Sequence, residues 1–263
     1  MLIDAVGRVH AAVAAGAQPR IVSLVPSITE LLCDLGLAQQ IVGRTGFCIH
    51  PADLVRSIAK VGGTKDVNAA KIRALAPTHL IVNIDENEKP AVEALATFIP
   101  HVIVTHPQTP RDNLELYRLL GGIFGAASQA DCMCRAFEHA YAALSTLQKQ
   151  APRRVLYCIW KDPWMTVSKD TYIANMLAEI GWQVWQAPQP ARYPVFDWSP
   201  ALLDAIDTVL LSSEPYRFTE VHVDALERQI GKPVQLVDGE MLSWYGSRAI
   251  AGLRYLRQLS PDR

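Results

Sequence analysis

The sequence lacks an excess of charge of either sign, and it lacks any long apolar run. Its 263 residues include 25 Lys and Arg against 26 Asp and Glu. A chain with balanced charge has no long-range field that would attract nucleic acid or an anionic membrane. No segment approaches the ~20 consecutive apolar residues that cross a bilayer. We therefore expect a protein that does not span a membrane, does not bind nucleic acid, and recognises its ligand through local contacts.

The chain also lacks the common cysteine, histidine and nucleotide-binding motifs. Its five cysteines are an odd number and show no CxxC spacing, so neither a disulfide scaffold nor a zinc motif is indicated. No HxH or HExxH spacing occurs, and no P-loop, no GxGxxG after the first strand and no GxSxG is present. These absences favour a binding protein over an enzyme and over a bare-metal site.

The first twenty residues do not have the composition of a signal peptide. They carry Asp4, Arg8 and His10, where a signal peptide needs an uninterrupted apolar stretch. We therefore expect the chain as written to stay in the cytoplasm. A periplasmic location is the alternative if the true start lies upstream of Met1 or was trimmed.

A unit of strand, loop and helix occurs twice. From Arg20 the sequence RIVSLVPS predicts a buried strand, and Ser27 is expected to cap a helix over residues 28–35. From Arg154 the sequence RVLYCIW predicts a second buried strand, followed by a helix over residues 172–180. Two halves in which strands alternate with helices indicate an α/β protein with two similar parallel-sheet lobes.

One long helix is predicted between the halves. Apolar residues recur at helical spacing from Ser128 to Gln150, with no internal Gly or Pro. At a rise of ~1.5 Å per residue this helix is about 34 Å long. We therefore predict an N-terminal α/β lobe at 20–125, a connecting backbone helix at 126–151 and a C-terminal α/β lobe at 152–263.

The candidate ligand-binding residues lie in loops that follow the strands, because an open parallel sheet binds ligands beyond the carboxyl ends of its strands. In the first lobe they are Ser27, Arg44, Phe47, Cys48, Lys65, Glu86 and Asn87. In the second lobe they are Trp160, Trp164, Arg192, Tyr193, Glu214, Tyr216, Glu240, Met241, Trp244 and Tyr245. Rigid Trp and Tyr rings provide a large contact area for a flat apolar ligand, and the two arginines offer planar donor forks.

Cys48 and His50 lie two residues apart in one of these loops. A soft sulfur and a ring nitrogen at this spacing could reach a metal such as the one at the centre of a corrinoid. The local sequence offers no third ligand, and packing or a surface position is the alternative for both side chains. An enzyme that uses Cys48 as its nucleophile is a further alternative, although no motif supports it.

Five segments, in this order, resemble the helical-backbone metal receptor superfamily, which contains periplasmic cobalamin-, haem- and siderophore-binding proteins. They are RIVSLVPSITELLCDLGL from Arg20, IVGRT from Ile41, VGGTKDVNAAKIRALAPTHLIV from Val61, DPWMTVSKDTYIANML from Asp162 and DGEMLSWYGSRAIAGL from Asp238. The chain is most similar to the cobalamin-binding branch. The resemblance implies a two-lobed α/β fold with a ligand held between the lobes, largely by aromatic faces, and an ABC permease as partner.

On this resemblance we expect a solute-binding protein of an ABC-type uptake system, which is monomeric, is not an enzyme and carries no prosthetic group. The expected ligand is a corrinoid or another metal chelate, such as an iron chelate. The branch has tryptophans where this chain has Val195 or Phe196, Glu240 with Met241, and Asn83. A cytoplasmic chaperone or sensor with the same fold is the alternative for a chain that is not exported.

Overall fold

The structure is a computed structural model that describes residues 1–146 and 152–259. The chain divides into two compact units, and each contains segments from distant parts of the sequence. The first unit consists of Met1–Pro107, Arg111–Phe137 and Tyr245–Ser247. The second unit consists of Gln108–Pro110, Glu138–Trp244 and Arg248–Arg263.

The first unit is built around a parallel sheet of five strands. Its strands are β3 (Ile21–Ser23), β4 (Ile41–Arg44), β5 (Ala59–Lys60), β6 (His79–Asn83) and β7 (His101–Thr105). They lie in the order β5-β4-β3-β6-β7, and every neighbouring pair is parallel. The helices of this unit are α1 (Pro26–Asp34), α2 (Ala52–Val55), α3 (Ala69–Ala74), α4 (Lys89–Ala96) and α5 (Asp112–Ile123), with a short 3-10 helix at Ala38–Gln40.

The central strands β3 and β6 bury all of their residues. Strands covered by helices on both faces read as continuous apolar runs, which is why this part of the fold is visible in the sequence. Ile72 of α3 and Leu95 of α4 pack with Val22 and Leu80 in one apolar cluster. Helix α1 starts two residues earlier than predicted, since Pro26 occupies its first turn and Val25 is the N-cap in place of Ser27.

A hairpin of β1 (Leu2–Ile3) and β2 (Val9–His10) covers the outer edge of the first sheet. The buried carboxylate of Asp4 accepts hydrogen bonds from the backbone N–H of Arg8 at 2.9 Å and of Val104 at 3.1 Å. The Nε2 atom of His10 lies 3.0 Å from the same carboxylate. The N–H of Ala5 donates to the carbonyl of Val104 at 2.9 Å, so the edge strand β7 does not leave this carbonyl unpaired.

The second unit repeats the parallel sheet. Its strands are β8 (Arg153–Trp160), β9 (Met165–Thr166), β10 (Trp182–Val184), β11 (Thr208–Ser212) and β12 (Val234–Val237). The parallel order is β10-β8-β11-β12, and β9 pairs with β8 in the antiparallel direction. The helices are α7 (Tyr172–Ala178), α8 (Pro200–Ala205), α9 (Glu220–Ile230), α10 (Gly239–Ser243) and α11 (Arg248–Leu259).

The predicted long helix is α6 (Ala127–Ser145), which begins in the first unit and ends in the second. The predicted end of this helix, residues 147–150, lies outside the described residues. The prediction of an α/β fold with two similar parallel sheets is confirmed. The boundaries 20–125, 126–151 and 152–263 stay predictions.

All five cysteines are free thiols, and of these Cys132 is exposed. Within residues 1–146 and 152–259, no helix combines the length and the apolarity that a membrane span requires.

Candidate functional site

Asn87 joins the loops at the carboxyl edge of the first sheet. Its Nδ2 donates to the carbonyl of Thr64 at 2.9 Å and to that of Leu24 at 3.3 Å. Its Oδ1 accepts from the N–H of Asn83 at 2.9 Å. The loops after β3 and β6 are thereby tied to the loop that contains Thr64. The side-chain amide of Asn87, which is predicted from the sequence to contact a ligand, thus forms hydrogen bonds with the protein backbone.

Arg44 and Cys48 point into the first unit. Arg44 is 4 % exposed, and its guanidinium donates to the carbonyls of Val55 at 2.8 Å and Thr45 at 3.0 Å. The sulfur of Cys48 is fully buried and lies 3.1 Å from the hydroxyls of both Thr29 and Thr45. Burial raises the pKa of the Cys48 thiol, and the two hydroxyls offset part of that rise. These contacts fix the shape of the loop after β4.

The same edge of the first sheet exposes apolar side chains. Phe47 is 61 % exposed, Ile49 is 51 % exposed and Ile84 is 47 % exposed. A Cβ atom on Gly63 would stand 3.4 Å from the ring of Phe47, so this ring lies beside the loop that carries the exposed Lys65. Phe47 and Lys65 are among the predicted site residues, whereas Ile49 and Ile84 are not. The available signal for Ile84 was an apolar residue directly after a buried strand.

Tyr245, Glu86 and Ser27 meet inside the first unit. The hydroxyl of Tyr245 donates to Oε1 of Glu86 at 2.5 Å, and the buried Ser27 hydroxyl lies beside it. Burial, followed by the charge of Glu86, raises the pKa of Tyr245 well above its usual value. The next residue, Gly246, donates its N–H to Oδ1 of Asn113 at 2.6 Å. Tyr245 is predicted from the sequence as a residue of the second lobe, whereas in the structure Tyr245–Ser247 belong to the first unit.

A chain of aromatic rings lies in the second unit. Trp160, the last residue of β8, is 39 % exposed and meets Tyr216 edge-on at 5.5 Å between centroids. Tyr216 contacts Phe218 at 4.6 Å, and Phe218 stacks on Trp164 at 5.8 Å. Trp164 also meets Trp198 at 5.4 Å and packs against the apolar core of this unit. Trp160 is therefore the exposed end of the chain of rings, and Trp164 is an inner member.

A loop segment runs alongside β9. Met165 pairs with Val195 as an isolated bridge, and the N–H of Ser168 donates to the carbonyl of Arg192 at 2.9 Å. Tyr193, between the two anchored residues, is 38 % exposed, and Val195 itself is 46 % exposed. The segment thus presents one aromatic and one aliphatic side chain to solvent from a backbone that is held at both ends.

Glu214, Glu240 and Trp244 form a polar group in the second unit. The indole Nε1 of Trp244 donates to Oε1 of Glu214 at 2.6 Å, and the hydroxyl of Ser243 donates to the same oxygen at 3.3 Å. Burial raises the pKa of Glu214, and the charge of Glu240 adds to the rise. Glu240 forms an ion pair with Arg248, whose guanidinium lies 4.8 Å from the ring centre of Trp244. Trp244 is only 9 % exposed.

The structure sorts the candidate residues by exposure. Four of them are exposed, namely Phe47, Lys65, Trp160 and Tyr193. Eight are half-buried, namely Glu86, Asn87, Trp164, Arg192, Glu214, Tyr216, Glu240 and Met241. Five are buried, namely Ser27, Arg44, Cys48, Trp244 and Tyr245. Among the residues that the structure describes, no group of three or more His, Cys, Asp or Glu side chains could hold a metal ion. Ligand contact stays a prediction for every candidate.

Comparison with known proteins identifies one family and several similar folds. The periplasmic binding protein model matches residues 21–228. The uncharacterized ABC transporter substrate-binding lipoprotein YvrC of Bacillus subtilis is 25 % identical over 258 residues, which cover 92 % of this chain and 80 % of that protein. The periplasmic vitamin B12 binding protein BtuF of Vibrio cholerae has a TM-score of 0.77 at 17 % identity, covering 91 % of this chain and 95 % of the other. The periplasmic haem-binding protein RhuT of Roseiflexus sp. RS-1 has a TM-score of 0.76 at 21 % identity, covering 91 % of this chain and 97 % of the other.

These similarities correct one prediction and confirm another. The predicted cytoplasmic location is wrong, because the matched family consists of periplasmic binding proteins and the similar proteins are periplasmic or lipoproteins. The cytoplasmic chaperone or sensor is not supported either. The resemblance to the helical-backbone metal receptor superfamily is confirmed, and membership in a family of binding proteins is consistent with binding rather than catalysis. The chain belongs to the periplasmic binding protein family.

Proposed function

We propose that the chain is the substrate-binding protein of an ABC-type uptake system, that it works outside the cytoplasmic membrane, and that it binds a corrinoid or another metal chelate with a flat apolar face. The ligand is cargo rather than a prosthetic group. The chain acts as a monomer and delivers the ligand to a permease. The similarity to a substrate-binding lipoprotein, to a vitamin B12 binder and to a haem binder supports this assignment.

The observation that carries the proposal is that each unit exposes aromatic rings in a loop or at the end of a strand. Phe47 is 61 % exposed in the first unit, and in the second unit Trp160 and Tyr193 are 39 % and 38 % exposed. Exposed rings grouped with aliphatic side chains such as Ile49 and Ile84 commonly mark a surface that a ligand covers. A flat apolar ligand gains contact area from such rings at low entropic cost.

A metal chelate suits these exposed side chains better than a free metal ion does. A chelate brings its own donor atoms, so the protein has to supply contact area rather than coordination. The sulfur of Cys48 is enclosed by Thr29 and Thr45, and the described residues contain no cluster of metal-ligating side chains. A bare cation would need several such donors.

The first test is a titration of the purified protein with aquocobalamin, cobinamide, haemin and a ferric siderophore. Tryptophan fluorescence and the visible absorption bands of each compound report binding. We expect micromolar or tighter affinity for one of them. Binding should change the tryptophan emission, because Trp160 is exposed and a ligand that covers it changes its environment. Absence of binding to all four compounds would reject the proposed ligand class.

Single variants test whether each exposed ring contacts the ligand. Phe47→Ala and Trp160→Ala should each weaken the affinity roughly 10- to 100-fold, which corresponds to about 1.4–2.8 kcal/mol. Val9→Ala is the control, because Val9 is 63 % exposed and lies on β2, in the hairpin of the first unit. If Phe47→Ala and Trp160→Ala bind as tightly as Val9→Ala, these exposed rings do not contact the ligand.

A further inference from the structure

A cavity of about 410 Å³ lies in the second unit, where the chain leaves β10. One wall is formed by residues 168–170, and the other by residues 186–192 together with Pro194. This volume is within the range of small-ligand sites, which is about 300–1,000 Å³. The residues that line this cavity take no part in the ring contacts described above for the second unit.

Hydrogen bonds between the two walls set the shape of the cavity. The N–H of Lys169 donates to Oε1 of Gln186 at 2.9 Å, and Nε2 of Gln186 donates to the carbonyl of Val184 at 2.8 Å. The N–H of Ser168 donates to the carbonyl of Arg192 at 2.9 Å. These bonds place Lys169 and Arg192 on two chain segments that line one cavity.

The charges and donors of the lining favour an anion. The charged residues of the lining are Lys169, Arg192 and Asp170, so two positive charges stand against one negative charge. The Lys169 side chain is exposed and forms no ion pair with any other described residue. Pro188 and Pro190 contribute walls that have no N–H groups. The cationic side chains are therefore the strong donors in the cavity, and they match an oxyanion.

We propose that this cavity is a subsite for a singly charged oxyanion, a phosphodiester or a carboxylate, that projects from the periphery of the transported ligand. The subsite rests on the proposed function, because the anion is part of the chelate. Cobalamin carries a phosphodiester that cobinamide lacks, and haem carries propionates that its dimethyl ester lacks. Lys169 and Arg192 contact this group and make the protein prefer the charged member of such a pair.

Affinities for the two pairs of compounds test the subsite in the presence of the whole ligand. Lys169→Gln should weaken binding of the charged member about three- to tenfold and leave the neutral member unchanged, because one charge-assisted contact is lost. Lys169→Arg should keep the preference. Lys71→Gln, which removes an exposed positive charge from α3 in the first unit, is the charge-matched control and should have no effect. A change in the preference for cobalamin over cobinamide would identify the group as a phosphodiester. A change in the preference for haem over its dimethyl ester would identify it as a carboxylate.

A direct probe separates failure of the subsite from failure of the proposed function. Dimethyl phosphate and acetate are titrated into the ligand-free protein while the amide resonances of Ala187, Gln189 and Ala191 are followed by NMR. We expect saturable shifts for one of the anions in the parent and their loss in Lys169→Gln. If these amides do not shift, and Lys169→Gln discriminates against neither charged chelate, the subsite is refuted even where the chelates bind. Amide shifts without binding of any chelate would support the anion site and reject the proposed function.

Discussion

At the scale of single residues, the carboxylate of Glu214 depends on the indole of Trp244. Burial raises the pKa of Glu214, and the 2.6 Å hydrogen bond from Nε1 of Trp244 compensates part of the cost of holding that charge in the second unit. Trp244→Phe keeps an aromatic ring and removes the donor. We expect the free energy of unfolding to fall by about 1–3 kcal/mol, because a partly buried charged acceptor loses a partner. Urea denaturation at neutral pH measures the loss.

The pH dependence of that loss distinguishes the hydrogen bond from general packing. A protonated carboxyl costs less to bury than a carboxylate, so the difference between Trp244→Phe and the parent should shrink on acidification. A double-mutant cycle with Glu214→Gln supplies the control, because it measures the coupling of the two side chains apart from the loss of ring area. A difference that stays constant with pH, together with zero coupling, would mean that the variant acts through packing alone.

The direction in which a side chain points was the least predictable property of the candidate site. Sequence placed Arg44, Phe47 and Cys48 in one loop, but not which of them turn inward. The structure buries Arg44 and Cys48 and leaves Phe47 exposed. The buried guanidinium of Arg44 donates to backbone carbonyls, and one of these belongs to Val55, outside the loop itself. A short loop sequence contains no periodicity that would reveal this choice.

At the scale of elements, β6 contains a buried histidine, His79, whose protonation is unfavourable in the folded protein. His79 stacks on His101 at 4.7 Å, contacts Phe124 edge-on at 5.1 Å, and its Nδ1 lies 2.8 Å from the hydroxyl of Thr78. Burial, with smaller contributions from His101 and His10, lowers the pKa of His79 to about 4. Between pH 6.5 and pH 4 the unfolded chain therefore binds a proton that the folded chain does not. The free energy of unfolding should fall by roughly 2–3 kcal/mol as the pH decreases through this window.

A substitution isolates this contribution from other acid effects. In His79→Gln the titrating group is absent, so the decrease in unfolding free energy between pH 6.5 and pH 4 should be smaller than in the parent. His139→Gln is the control, because His139 lies exposed on α6 and should leave the parent profile unchanged. Urea denaturation at several pH values supplies both curves. Parallel curves for His79→Gln and the parent would refute a depressed pKa at this position.

Elements differed in how well the sequence predicted them, and the reason is length. The runs that become β6 and β8 are long, apolar and buried, so their pattern was visible. Strands β1, β2, β5 and β9 have two residues each, which is too short for any period to show. Asp4, Arg8 and His10 were noted only as unsuitable for a signal peptide. The carboxylate of Asp4 also accepts the N–H of Val104, a contact across 100 residues that no local pattern reveals.

At the scale of the whole molecule, the fold class could be predicted and the compartment could not. Alternating strands and helices require a parallel sheet, and each half of the chain has its own set, so the fold followed from local patterns. The cytoplasmic prediction rested on what the first twenty residues lack, and the family match overturned it. The grouping of Tyr245–Ser247 with the first unit depends on partners such as Asn113 and Glu86 that are distant in sequence. No local pattern predicts such partners.

Ligand binding should raise the thermal stability of the protein. A compound that binds the folded chain and not the unfolded one stabilises it by about 2.7 kcal/mol at a free concentration of 100 times its Kd. For a chain of this size, that corresponds to an increase in Tm of roughly 5–10 °C. Circular dichroism melts with increasing cobalamin or haemin measure it. In Trp160→Ala the same increase should require a concentration higher in proportion to its weaker Kd. Saturation of the visible bands without any change in Tm would mean that the compound binds the unfolded chain equally well, and the proposed specific site would be rejected.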